Sequence, residues 1–549
     1  MSTNVSISFR NSLVGAYEYM RPSVILPTGL VFNPFTGLID GTAYNTVYSP
    51  PSNIVYCTSS AQIQTAINTS INTAGGTTIK IVPGTEITGQ ITLKKRNITG
   101  WTYIITDETG SLPSITAGNV IGKFVNRVSP AHTVYMPNFN LSAANQPTFI
   151  TENGADFYYF RGLAFGNPSN YVSSGGWFYI VPASGLNDHA NYPNNIVIQQ
   201  CYFNGGTLHN TLRAVYGGTN SLAMMDNYGE ELGRDGFDSQ FFFSTPCTGK
   251  HRIVNNYTSV GGASENFMYG GVAYTFANSD FIPSDVEVRG NVSRKPSWGQ
   301  HKNHFELKYA RRVLYEGNIN KDHNGVGQQV SILAKIANQS VSNAYVTTRD
   351  VLVRCNKVTD VSSSVAPLGF SGGGPAAPGN PPDPVFYEAR DNIFTSGSNA
   401  DGITLSHADD VIIMYNTIVT GTTNYRTAIK FALADMMNRV RIQYNVFCSN
   451  ELTNSYCVSS SVSLGAGETA FANHTDDGTF NNNLCVAPTG TDYDEQQRVA
   501  TRAAIGFTDL AGQNYILLPS SLGYQAAPDS RDYGANIPFV TAMLAGVES

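Results

Sequence analysis

One six-residue pattern recurs through the second half of this chain and limits its fold more than any single motif does. The segments VEVRGN (286–291), VLYEGN (313–318), VLVRCN (351–356), YEARDN (387–392), VIIMYN (411–416) and VRIQYN (440–445) each alternate apolar residues and close on asparagine. HRIVNN (251–256) belongs to the set, and IVIQQC (196–201) fits it with cysteine in place of asparagine. The closing asparagines are 256, 291, 318, 356, 392, 416 and 445, between 24 and 38 residues apart, so insertions fall between copies. A second set lies between these copies: DSQFFFS, ENFMYGG, HFELKYA, SILAKIA, APLGFSG, GITLSHA and AIKFALA. Each repeat thus holds at least two short strands and a turn. A strand with one apolar side must bury it, and stacking such units end to end gives a solenoid with a continuous core. Asparagine at a repeated bend can take the left-handed backbone, and stacked asparagine side chains can bond along the axis. A propeller blade would need four strands per repeat. The pattern predicts an all-β chain folded as a parallel β-helix.

The rest of the chain is read around that solenoid. SSAQIQTAINTSI places Ile63, Ala66, Ile67 and Ile71 on one helical face, with serine at the N-cap. Such a helix would cover the open N-terminal end of the core. Residues 1–50 lack periodicity and read as an extended arm. Residues 51–190 read as the capping helix and first rungs, 191–490 as the central solenoid and 491–549 as a closing segment. The Gly/Pro-rich stretch 367–384 must leave the solenoid as a loop. Only 13% of residues are charged, and the net charge is −7. No basic run marks a nucleic-acid surface, and no stretch of 18 apolar residues marks a membrane span. The start, MSTNVSISFRNSLVGAYEYM, has no signal-peptide pattern. The seven cysteines form no CxxC pair and read as buried thiols, with Cys448 and Cys457 as the one pairing considered.

Two long runs carry a resemblance to a known superfamily: DSQFFFSTPCTGKHRIVNNYTSVGGASENFMYGG and IPSDVEVRGNVSRKPSWGQHKNHFELKYARRVLYEGN. AQIQTAINTSINTAGGTTIKIVPGT near the start and DSRDYGANI near the end add to it. The chain resembles the pectin-lyase-like right-handed parallel β-helix superfamily, in particular an uncharacterised bacterial and phage tailspike-like branch, over about residues 57–545. The resemblance implies a right-handed β-helix that binds or degrades polysaccharide. The superfamily holds lyases, hydrolases, esterases, epimerases and viral adhesins, so fold alone does not select among them. Tailspike likeness further implies a homotrimer, a virion or extracellular location, and other virion proteins as partners of residues 1–50. The alternatives are a non-catalytic structural or adhesive protein and a secreted polysaccharide lyase.

Candidate chemistry gathers in KNHFELKYARRVLYEGN (302–318). Period two sends Phe305 and Leu307 inward and His304, Glu306 and Lys308 outward. Aligning neighbouring strands sets Met268 and Leu333 beside Glu306, Lys335 beside Lys308 and Asn266 beside His304. Asp238 and Glu265 join from the preceding rungs, and Trp298 and Arg289 from nearby loops and strands. β-Elimination of a uronate needs a base for the C5 proton and cations for the carboxylate. Lys308 or His304 would be the base, and Lys335 or Arg289 the clamp. Glycoside hydrolysis would instead use two carboxylates at a set spacing, Glu265 and Glu306 or Asp238. No adjacent-Asp, His-Gly and Arg-x-Lys set of a polygalacturonase is present, and no motif calls for a cofactor, although Ca²⁺ would suit this chemistry.

Overall fold

A computed structural model describes residues 48–115, 126–169, 171–173, 175–262, 264–271, 276–335, 348–362, 364–370, 386–421, 427–432, 436–449, 457–460, 466–486 and 496–547. The arm up to residue 47 and most of the Gly/Pro-rich stretch lie outside them.

The chain winds as a right-handed parallel β-helix of three long sheets. A back sheet of 14 strands runs from Ile54–Tyr56 to Thr479–Asn481. A side sheet of 14 strands runs from Glu86–Thr88 to Gln497–Val499. A front sheet of 12 strands runs from Ile91–Leu93 to Val458–Ser460. Each turn visits back, side and front in that order, so a strand pairs with its equivalents one rung before and after. The six-residue repeats are back strands and the second set are front strands. Most side strands, such as Val292–Arg294 and Ile319–Lys321, are three residues long and follow directly on the asparagine, which is why no separate pattern announces them. Ala366–Phe370 is a front strand, so residues 367–370 of the predicted loop belong to the solenoid instead.

The core is one stack of inward side chains. On the front sheet Phe178, Val215, Phe242, Phe267, Phe305, Ile332, Leu368, Ile403, Ile429 and Val458 follow one another in register. All are buried. The helix Ser60–Ser70 closes the first rung; Ser59 caps it by accepting the Gln62 N–H, and Ile63, Ala66 and Ile67 face the core. Ile71 is the C-cap, and Ser70 is buried instead, bonded to Thr102 and Arg96. All seven cysteines are buried free thiols.

The turn between back and side sheets is occupied by asparagine from Asn227 to Asn483, and Gln496 closes the row. Asn318 illustrates the bonding. Its Nδ2 donates to Asn356 Oδ1 (3.0 Å) and to the Val288 carbonyl (3.0 Å), while its Oδ1 accepts the Asn291 N–H (2.9 Å) and Asn291 Nδ2 (3.0 Å). Two donors and two lone pairs are thus all used inside the protein. The left-handed residue is not the asparagine but the one before it: Asp226, Asn255, Cys355, Asp391, Tyr415, Tyr444 and Asn482 all have φ between 53° and 60°. That bend aims the following asparagine into the stack.

After the last rung, the segment 531–547 turns back along the outside of this asparagine corner. Gly534 N–H donates to the Tyr444 carbonyl, Ala535 N–H to Thr417 Oγ1 and Arg531 to Asp391 Oδ1. The helix Ile537–Leu544 follows, and Val547, fully buried, accepts a bond from Arg127 (2.9 Å). Among the described residues no helix is long and apolar enough to cross a membrane.

Candidate active site

The outer face of the front sheet carries a charged cluster on consecutive rungs. Arg213, Gln240 and Glu265 stand in register on one column, and Met268, Glu306 and Leu333 on another. Glu265 lies three residues before Met268, on the rung that precedes Glu306. The two carboxyls are neighbours, both are 0% exposed, and neither Glu306 oxygen receives a hydrogen bond from an N–H or O–H donor. Burial, and then the charge of Glu306, push the Glu265 carboxyl up to about 8, against the pull of Lys302.

Three lysines surround the pair. Lys335 Nζ lies 3.2 Å from Glu306 Oε1 and Lys308 Nζ 3.7 Å from Glu306 Oε2. Lys302 Nζ pairs with Asp238 and lies 3.7 Å from Glu265 Oε1. Gln240 Nε2 donates to Glu265 Oε2 (2.7 Å), and Arg213 Nε donates to Gln240 Oε1 (2.8 Å), which fixes the Glu265 carboxyl from the next rung. Asp238 is exposed; the lysine stems and strand residues close over the carboxyls. Behind the strand, Lys295 is buried and donates to the Ser264 carbonyl (2.8 Å). Burial lowers its amine to about 7, opposed by Glu265.

Five predicted residues therefore converge: Glu306, Glu265, Lys308, Lys335 and Asp238. Three do not. His304 is not on the open face, because the strand begins at Phe305 and His304 still belongs to the bend before it. Its ring nitrogens bond Ser331 Oγ (2.9 Å) and the Lys321 carbonyl (3.0 Å). Burial, His323 and Lys295 keep it neutral, well below the ordinary histidine value. Arg289 lies on the back sheet, buried between Glu287 (2.8 Å) and Glu316 (2.7 Å). Trp298 stacks on His209 with centroids 3.8 Å apart and packs over Gly261. It covers a loop and does not face the carboxyl pair. Lys302, Arg213 and Lys295 were not among the predicted residues. Lys302 heads the same charged stretch, and nothing in the sequence marks the other two. Among the described residues no three His, Cys, Asp or Glu side chains converge as a cation site.

No family model matches the chain, and no curated protein matches it. Solved structures similar to it include an alginate lyase from Paenibacillus sp. strain FPU-7, at 10% identity and TM-score 0.37, covering 66% of this chain and 98% of that one. A family PL6 alginate lyase, AlyGC, is 10% identical with TM-score 0.39 over 88% of this chain and 56% of its own. The A-module of the Azotobacter vinelandii mannuronan C-5 epimerase AlgE4 is 12% identical with TM-score 0.34, over 80% of this chain and 91% of its own.

Proposed function

We propose that this protein is a polysaccharide-acting β-helix that binds an anionic glycan over the lysine-rimmed carboxyl pair and cleaves it by β-elimination. The observation that carries the reading is the pair itself: two buried neighbouring carboxyls, ringed by Lys302, Lys308 and Lys335. A carboxyl that holds its proton beside a second carboxyl suits a reaction in which one proton is taken and one is given. The Glu306 carboxylate takes the C5 proton of a uronate, the C4–C5 double bond forms, the C4–O bond breaks, and Glu265 gives its proton to the leaving oxygen. No water is consumed, and proton exchange across the contact resets the pair. Lys302 and Lys335 hold the uronate carboxylate and the charge that develops on it. Lys308 then acts as a cation beside Glu306 in place of a base. Access requires the Lys302 and Lys308 side chains to swing aside on their flexible stems.

The test is incubation of the purified protein with polyuronates and other acidic polysaccharides, read by absorbance of unsaturated product near the ultraviolet edge. Product formed by the natural chain and lost in Glu306→Gln is the expected result. Absence of any product sinks the enzymatic half. A second reading, glycan binding without chemistry, is favoured by the complete burial of both carboxyls. It expects retained binding with no product. Display on a particle through residues 1–50, as a homotrimer, belongs to the same proposal, and truncation at residue 50 followed by mass measurement in solution tests it.

A further inference from the structure

We infer that the side sheet carries a second glycan site, suited to neutral sugars, in the notch at Gly166. The strands Asn138–Asn140, Ala164–Gly166 and Tyr202–Asn204 are successive side-sheet rungs. Asn140 pairs with Gly166 in register, and Asn204 follows one residue after the Phe165–Phe203 pair, so it stands on the other side of Gly166. Parallel rungs are about 4.8 Å apart, which separates the two asparagine positions by about 10 Å with a gap between them. A side chain at 166 would close that gap: its Cβ would lie 2.8 Å from Asn140 Oδ1. The notch opens into a cleft of about 440 Å³, within the usual size of a ligand site.

The polar groups are held on strands, and each amide gives one of its two N–H bonds to a neighbour. Asn138 Nδ2 donates to Glu86 Oε1 (2.9 Å) and Asn140 Nδ2 to Glu86 Oε2. Asn204 Nδ2 donates to the Tyr202 hydroxyl (3.2 Å), which in turn donates to Glu230. Asn204 Oδ1 also accepts the Gly206 N–H (2.9 Å), so the cleft is lined by amide and phenol groups that both give and accept hydrogen bonds. Among the described residues that line it there is no Lys or Arg, so an anion finds no counter-charge. Pro130, Pro168 and Tyr202 add apolar surface for C–H groups. A ligand rich in hydroxyl donors, without negative charge and with apolar ring faces matches this lining. Both Glu86 oxygens accept an amide N–H, from Asn138 and Asn140, and Glu86 is not among the described residues that line the cleft, none of which carries a charged side chain. The front site, ringed by lysines, selects the opposite charge, and this inference does not rest on it.

The test is calorimetric titration of the full chain with neutral gluco-, manno- and galacto-hexasaccharides, and with spermine. One neutral hexasaccharide is expected to bind, at least about tenfold more weakly to the Asn140→Ala, Asn204→Ala double variant and to Tyr202→Phe. Binding should be unchanged in Glu306→Gln. The inference fails if no neutral hexasaccharide binds at millimolar concentration, if spermine binds in their place, or if binding survives in both side-sheet variants at unaltered thermal midpoints. Binding that disappears with Glu306→Gln would assign it to the front site and overturn the inference equally.

Discussion

The back and front sheets both carry buried glutamates on successive rungs, yet they treat them in opposite ways. On the back sheet Glu316 Oε2 lies 2.7 Å from Arg289 Nε and its Oε1 2.5 Å from Arg354 Nε, and Glu287 sits between Arg252 and Arg289. Burial alone would raise the Glu316 carboxyl, but the two guanidinium groups outweigh it and hold it below its ordinary value of 4.5. On the front sheet the neighbour of Glu265 is another carboxyl, and Glu265 rises instead. Residue type and burial are the same, so the rung-to-rung partner decides. A buried glutamate set between arginines is a structural tie. One set against another carboxyl keeps a proton ready, which is the arrangement acid–base chemistry needs.

The comparison can be broken most severely at Glu316. Glu316→Ala would leave Arg289 and Arg354 buried without their shared carboxylate and is expected to cost about 3–5 kcal/mol in denaturant unfolding. Glu306→Gln is expected to do the reverse. It removes a like-charge contact and should barely move the unfolding midpoint, while lowering product formation by about 100- to 10,000-fold. A large stability loss in that variant would place the front pair with the back row.

The pH dependences should also run in opposite directions. Glu265 holds its proton more tightly folded than unfolded, so its contribution to stability is full below about 4.5 and falls as pH rises toward about 8. Glu316 holds its proton less tightly folded, so its contribution is present above 4.5 and is lost as pH falls below it. Melting temperature against pH should lose its neutral-range decline in Glu265→Gln and its acid-range decline in Glu316→Gln. The smallest effect is expected at Lys80–Asp107, a half-exposed pair (2.8 Å) on an early back strand. Asp107→Asn should cost about 0.2–1 kcal/mol by the same unfolding measurement, and less in high salt.

The repeat makes the solenoid legible because its period is set by core packing. Asn291, Asn318 and Asn356 align whatever lies in the loops between them. The same alignment contains the correct place of Arg289. It stands two residues before its asparagine, as do Glu316, Arg354 and Arg390, and so belongs to the back-sheet charge column. As a clamp for a substrate carboxylate, Arg289 would have to leave that column. The strand register around Glu306 was readable from period two, and Met268 and Leu333 are its partners. Period two fails at His304, where the strand has not yet begun. Lys302 and Lys295 reach the site from segments whose length varies from rung to rung, so alignment carries no information about them. Asn227 and Asn483 extend the row beyond the aligned asparagines, in segments (LAMMDN and GTFNNN) whose flanks are less regular.

The strap along the asparagine corner has a mechanical consequence. A bare solenoid is held only by nearest neighbours, so its end rungs could peel one at a time. Here residues 531–547 tie the rung of Tyr444 to Thr417, to Asp391 and on to Arg127, like a spine sewn across the pages of a book. Stretched along its axis, the protein should bear load in parallel through sheets and strap. It should then fail in one large rupture, not in a staircase of small ones.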